Sequence, residues 1–64
     1  MKTRLKVRRA ELNITQDELA EKSGVARSII SQIESGRRDN ITFDTMKRLT
    51  NALECKISDI FLEE

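Results

Sequence analysis

The residue types that most often carry catalysis are almost missing from this sequence. It has no histidine and a single cysteine, Cys55. His-based acid–base chemistry, Ser–His or Cys–His nucleophilic pairs and Cys/His zinc sites are therefore excluded. Only two glycines occur, too few for a phosphate-cradling loop. We expect a protein that binds rather than an enzyme, with no metal, cofactor or small-molecule ligand.

The charged side chains are distributed unevenly. The net charge is only +1, yet residues 1–10 carry five cations and no acid, and Arg37 and Arg38 form a second basic spot. Residues 54–64 carry four acids against one lysine. Charge alone does not separate a nucleic-acid surface from an ordinary solvated one. We interpret the cations of the N-terminal arm as solvated surface, with contact to a nucleic-acid backbone as the open alternative: Lys2, Arg4, Lys6 and Arg8.

The length of 64 residues predicts one small domain spanning the whole chain, 1–64. No apolar run approaches the roughly 18 residues that a membrane span needs. The first ten residues, MKTRLKVRRA, are basic but lack the apolar stretch of a signal peptide. The expectation is a cytoplasmic protein with no membrane partner.

Apolar residues recur with helical spacing from end to end, and no proline interrupts them. The predicted fold is all-α, a compact bundle of five helices. These helices are expected at about 2–12, 16–23, 26–35, after Thr42, and around Ile57, Ile60 and Phe61.

Local signals fix several helix ends. Thr15 and Glu18 have the spacing of a capping box, and Gly24 suits a left-handed cap. Thr42 is a candidate N-cap for the fourth helix. The inward face of that helix is predicted to carry Phe43, Met46, Leu49 and Leu53.

Two of the predicted helices, joined by a glycine turn over about 16–35, match the helix-turn-helix pattern. Ala20 is small where the two helices cross, and Val25 fills the corner of the turn. Ile30 and Ile33 attach the second helix to the core. The side of that helix facing away from them carries Arg27, Ser28, Ser31 and Gln32.

The stretches ITQDELAEKSGVARSIISQIESGRR and FDTMKRLTNALECKISDIF resemble the XRE family, the helix-turn-helix domains of lambdoid phage repressor and Cro proteins. The resemblance covers about residues 4–61. It implies a lambda repressor-like fold and a sequence-specific, double-stranded DNA-binding transcriptional regulator. Its recognition helix, about 26–35, would lie in the major groove.

The resemblance also implies roles for individual residues. Base contacts are implied for Arg27, Ser28, Ser31 and Gln32. Arg27 can fork onto guanine, and Gln32 can pair with adenine. Phosphate contacts are implied for Gln16, Arg37, Arg38 and Asn40. A structural ion pair is implied between Arg9 and Glu34. Three positions depart from the family pattern: Ala26 replaces a hydroxyl cap, Lys56 replaces a common serine cap before the last helix, and Glu54 stands where glycine often closes the fourth helix.

A domain of this size contacts one half-site, so a homodimer on a palindromic operator is expected. The predicted contact is an apolar C-terminal set within 57–64 that exceeds what a small core needs: Ile57, Ile60, Phe61 and Leu62. The simplest role is a repressor acting at the nucleoid. Two alternatives stay open: an antitoxin or restriction–modification controller of the same fold, and a protein-interaction module that has lost DNA binding.

Overall fold

Five α-helices occupy most of residues 3–61, the part of the chain that the computed structural model describes. They are α1 (Leu5–Glu11), α2 (Gln16–Ser23), α3 (Arg27–Glu34), α4 (Phe43–Ala52) and α5 (Ile57–Ile60). The all-α prediction is confirmed, and the bounds of α2 are as predicted. Within the described range no helix is long and apolar enough to cross a membrane.

The helices pack around a single cluster of buried hydrophobic residues, to which every helix contributes. The cluster consists of Leu5, Leu19, Val25, Ile30, Ile33, Leu49, Leu53, Ile60 and Phe61. Two residues predicted to form the dimer contact belong to this core instead. Ile60 and Phe61 are 1% and 8% exposed, so they belong to the chain's own core and are not surplus apolar surface. Leu62, predicted with them, lies outside the described residues.

Phe43 was predicted to face inward and is instead 66% exposed. It is the first residue of α4, directly after the cap residue Thr42, and the Lys47 ammonium lies 5.9 Å from its ring centroid. The residues that pack on the core at this end are Ile41 and Met46. They flank the cap at the spacing of a hydrophobic staple. Ile41 and Met46 therefore reach the core, and Phe43 between them stays outside it.

The connection between α2 and α3 follows from its local sequence. Thr15 Oγ1 accepts from the Glu18 amide at 3.1 Å, and Glu18 Oε1 accepts from the Thr15 amide at 2.8 Å. This is a complete capping box, as predicted. Gly24 ends α2 with φ +76°, a left-handed conformation that glycine adopts without a Cβ clash. Val25, buried at 8% exposure, then fills the corner.

The two ends of the described chain lie side by side. Thr3 and Phe61 form an isolated antiparallel bridge, and the Arg4 amide donates to the Ile60 carbonyl at 2.9 Å. Arg8 joins the same region, since its Nε donates to the Leu53 carbonyl at 3.1 Å. Arg8 therefore connects α1 to the end of α4 through a hydrogen bond. Its interpretation as solvated surface was wrong.

Glu54 follows α4 with φ +55°, so this position does require the left-handed backbone that glycine favours. A side chain in that conformation costs about 1–2 kcal/mol. Part of this would be offset by the entropy that glycine loses on folding, about 0.5–1 kcal/mol. We expect Glu54→Gly to raise the free energy of unfolding by about 0.5–1 kcal/mol, measured by urea denaturation.

Glu54→Ala is the matched control for that substitution, because it removes the carboxylate and keeps the Cβ. It should leave the free energy of unfolding close to that of the wild type. Equal stabilities for the glycine and alanine variants would show that backbone strain at this position is negligible.

Candidate nucleic-acid interface

One side of α3 is held by the core and the other is open to solvent. Ile30 and Ile33 are 0% and 1% exposed, and Ile29 packs partly buried against the same cluster. The outward side carries the four polar residues predicted to contact bases, all of them exposed: Arg27, Ser28, Ser31 and Gln32. The structure therefore brings these four residues together on one accessible helix face.

Arg27, the first residue of α3, contacts the first turn of α2. Its Nε lies 3.2 Å from Asp17 Oδ1, with the two side chains 63% and 75% exposed. An ion pair this exposed contributes less than about 1 kcal/mol. Arg27 is thus oriented but not sequestered, and a stronger anionic or acceptor partner can displace Asp17. The residue before it, Ala26, has no side-chain oxygen to cap the first-turn amides, as its sequence position indicated.

Gln32 contacts the loop that follows α3. Its Oε1 accepts from Arg38 Nη1 at 2.7 Å, and its backbone carbonyl accepts from the Arg37 amide at 3.0 Å. Arg38 was predicted as a phosphate contact, yet in the free protein it is half-buried and bound to Gln32. The other two predicted phosphate contacts of this loop, Arg37 and Asn40, are exposed.

Beneath this face, Arg9 of α1 and Glu34 at the end of α3 form a two-pronged ion pair. Arg9 Nε donates to Glu34 Oε2 at 2.9 Å, and Arg9 Nη2 donates to Oε1 at 3.1 Å. Their side chains are only 16% and 5% exposed. Arg9 Nη1 also donates to the Ile14 carbonyl at 2.9 Å. The pair therefore connects α1, the α1–α2 loop and α3 inside the fold.

Gln16, the first residue of α2, joins the same cluster. Its Nε2 donates to Glu34 Oε1 at 3.0 Å, so the side chain is half-buried and aligns α2 with the end of α3. The sequence reasoning placed this side chain against a phosphate and missed the bond to Glu34. Gln16 and Glu34 are 18 residues apart and lie on different helices, so no helical period could have indicated this hydrogen bond.

The electrostatic state of the ion pair is well defined. Burial acts to raise the pKa of Glu34, but the hydrogen bonds from Arg9 and Gln16 and the attraction of nearby cations outweigh it, so the pKa lies below its ordinary value. The hydrogen bond to Glu34 raises the pKa of Arg9. Both groups are therefore charged at neutral pH. Away from this site, burial raises the pKa of the Cys55 thiol, which packs against the core.

Known proteins resemble this chain in sequence along most of its length. The sequence model of the family described as Helix-turn-helix matches residues 5–60. An uncharacterized HTH-type transcriptional regulator of Archaeoglobus fulgidus is 39% identical over 62 residues, spanning 97% of this chain and 86% of the relative. Another, from Methanocaldococcus jannaschii, is 41% identical over 64 residues, spanning 100% and 96%. A further A. fulgidus regulator is 34% identical over 62 residues.

Proposed function

This chain belongs to the XRE-type helix-turn-helix family of DNA-binding transcriptional regulators, and from that premise we propose that it recognises a specific duplex sequence with α3 in the major groove. The observation that carries the proposal is the outward face of α3, where four polar side chains are exposed above two buried isoleucines. The major groove is about 12 Å wide and admits a helix.

The proposed base readers are Arg27, Ser28, Ser31 and Gln32. Arg27 supplies a planar fork of donors, the group that best matches the O6 and N7 acceptors of guanine. Its bond to Asp17 is exposed and weak, so exchanging it for a base edge costs little. The serine hydroxyls are short and contact only bases that approach the helix closely.

The proposed phosphate contacts lie on either side of α3. Gln16 begins α2, where the first-turn amides and the helix dipole favour an anion. Because its side chain is bound to Glu34, the backbone amide is the group we assign to the phosphate. Arg37 and Asn40, exposed in the loop after α3, would contact the opposite flank, with Arg38 beside them.

The dimensions of the chain support a two-fold assembly on DNA. The Cα trace spans 27 × 21 × 19 Å along its principal axes, which is less than one turn of B-form DNA, about 34 Å. One copy therefore covers one half-site, and we propose a homodimer on a palindromic operator, acting as a repressor at the nucleoid. Of the predicted contact residues within 3–61, Ile57 is the one that keeps exposed surface.

The test begins with selection of bound sequences from a random duplex library, followed by anisotropy titrations on the selected operator. Arg27→Ala should weaken operator binding about 5- to 150-fold and relax the preference at one base pair. Arg37→Ala should instead weaken all sequences alike and reduce the salt dependence by about one counterion. The titration should saturate at two chains per operator.

Lys22→Ala is the matched control, since Lys22 is an exposed cation at the opposite end of α2, beside Glu18 and Glu21. It should leave the sequence preference unchanged. Binding that selects no sequence, or that is insensitive to salt, would contradict the proposal, and failure to bind any duplex would favour a protein-interaction module.

A further inference from the structure

The bond between Arg38 and Gln32 fixes which end of the glutamine amide is turned outward. A guanidinium only donates hydrogen bonds, so the amide atom 2.7 Å from Arg38 Nη1 must be the acceptor, Oε1. The two hydrogens on Nε2 are the ones left to other partners. The bond involves a charged donor, which makes it stronger than a bond between two neutral groups.

The loop after α3 makes further hydrogen bonds to Gln32. The Gln32 carbonyl accepts from the Arg37 amide at 3.0 Å and from Ser35 Oγ at 3.1 Å. Gly36, with φ +80°, turns the chain so that the loop returns alongside α3. Arg38 is half-buried in this turn, whereas its neighbour Arg37 is exposed. The two consecutive arginines are therefore not equivalent.

A glutamine with both ends of its amide available pairs with adenine, donating to N7 and accepting from the N6 amino group. Here the accepting end faces a cation. A base that presents its own donor at that place would meet the Arg38 guanidinium, whereas guanine presents two acceptors, O6 and N7. Gln32 and Arg38 together thus form a surface made of donors.

We propose that Arg38 is a positioning residue that makes Gln32 a reader of hydrogen-bond acceptors, so that the base it contacts is guanine rather than adenine. This inference rests on the proposed function. It departs from the adenine pairing expected for a lone glutamine, and it gives Arg38 a role in specificity that a phosphate contact does not have.

The experiment compares all four base pairs at the operator position that Gln32 reads, identified as the position where Gln32→Ala abolishes discrimination. The wild type should prefer guanine over adenine there by about fivefold or more. Arg38→Ala should lower this ratio by about fivefold or reverse it, because it removes the cation that opposes an adenine N6 donor approaching Oε1. Arg37→Ala, the matched control, should lower all four affinities and leave the ratio unchanged.

A second measurement does not depend on DNA. In the free protein, the side-chain amide resonances of Gln32 should shift in Arg38→Ala and stay in place in Arg37→Ala. Unchanged resonances in both variants would overturn the inference, as would a wild-type preference for adenine or an Arg38→Ala variant that weakens all four base pairs equally. A wild type without any sequence preference would instead overturn the proposed function, while the resonances would still report whether Arg38 holds Gln32.

Discussion

Arg9→Ala is expected to lower the free energy of unfolding by about 3–5 kcal/mol, the usual cost of removing one partner from a buried ion pair. The substitution leaves the Glu34 carboxylate, 5% exposed, without its two strongest hydrogen bonds. A chain of 64 residues has a total stability of roughly 3–10 kcal/mol. The variant should therefore lose a large part of its stability, measured by urea denaturation followed by circular dichroism.

The double substitution Arg9→Met/Glu34→Leu separates the loss of a charge from the loss of packing. Replacing a whole buried ion pair by apolar residues of similar size is often neutral or stabilising. We therefore expect the double variant to have a higher free energy of unfolding than Arg9→Ala. Comparable instability of the two variants would show that the pair is needed for more than charge neutralisation, for example through the bond from Arg9 to the Ile14 carbonyl.

The pH dependence of stability gives the same pair a second readout. The pKa of Glu34 lies below its ordinary value in the folded protein, so its contribution to stability is present above about pH 4.3, the unfolded value. That contribution is lost as the pH falls through the lowered pKa. The wild type should therefore lose stability in acid more steeply than the folded double variant, measured by urea denaturation at pH 3–7.

Local signals were enough to predict the scaffold of the site. Thr15, Glu18 and Gly24 each act on backbone atoms within four residues of themselves, so the start and end of α2 could be predicted from the chain alone. The alternation of buried isoleucines with outward polar residues on α3 is likewise a helical period. These features determine which side of α3 faces solvent.

The remaining features depend on contacts between distant parts of the chain. Ile60 and Phe61 are buried because the segment around Thr3 and Arg4 closes over the end of the molecule, and no local period encodes that closure. Phe43 shares the helical period of the inward face of α4, but Ile41, before the cap, packs on the core at this end of the helix instead. Apolar spacing predicts a face, and tertiary packing decides which residues of that face are buried.

The contacts of the long polar side chains were the least predictable part of the site. Arg27 with Asp17 and Arg38 with Gln32 are ten and six residues apart, respectively, and neither separation is a helical spacing. Each depends on the path of a loop and on side-chain rotamers. Sequence reasoning could therefore name the residues on the interface without predicting how the free protein orients them.

Ile33→Ala is the second substitution with a large expected effect. Ile33 is 1% exposed and lies on the inward side of α3, facing away from the DNA that we propose the helix contacts. Truncating it should lower the free energy of unfolding by about 2–5 kcal/mol through lost burial and the cavity that remains. Ile33→Val should lower the free energy of unfolding by only about 0.5–1.5 kcal/mol. Ser31→Ala, on the exposed side, should change it by no more than about 0.5 kcal/mol.

The effect of these core variants on DNA binding tells whether Ile33 acts through folding alone. If it does, the apparent operator affinity of Ile33→Ala falls only by the fraction of folded molecules. Excess operator should then restore the folded state, since a ligand that binds only the native form stabilises it. Ile33→Val, which stays folded, should bind the operator with wild-type affinity and preference. A folded Ile33→Val variant with weakened discrimination would instead mean that small displacements of α3 change which base edges Arg27 and Gln32 reach.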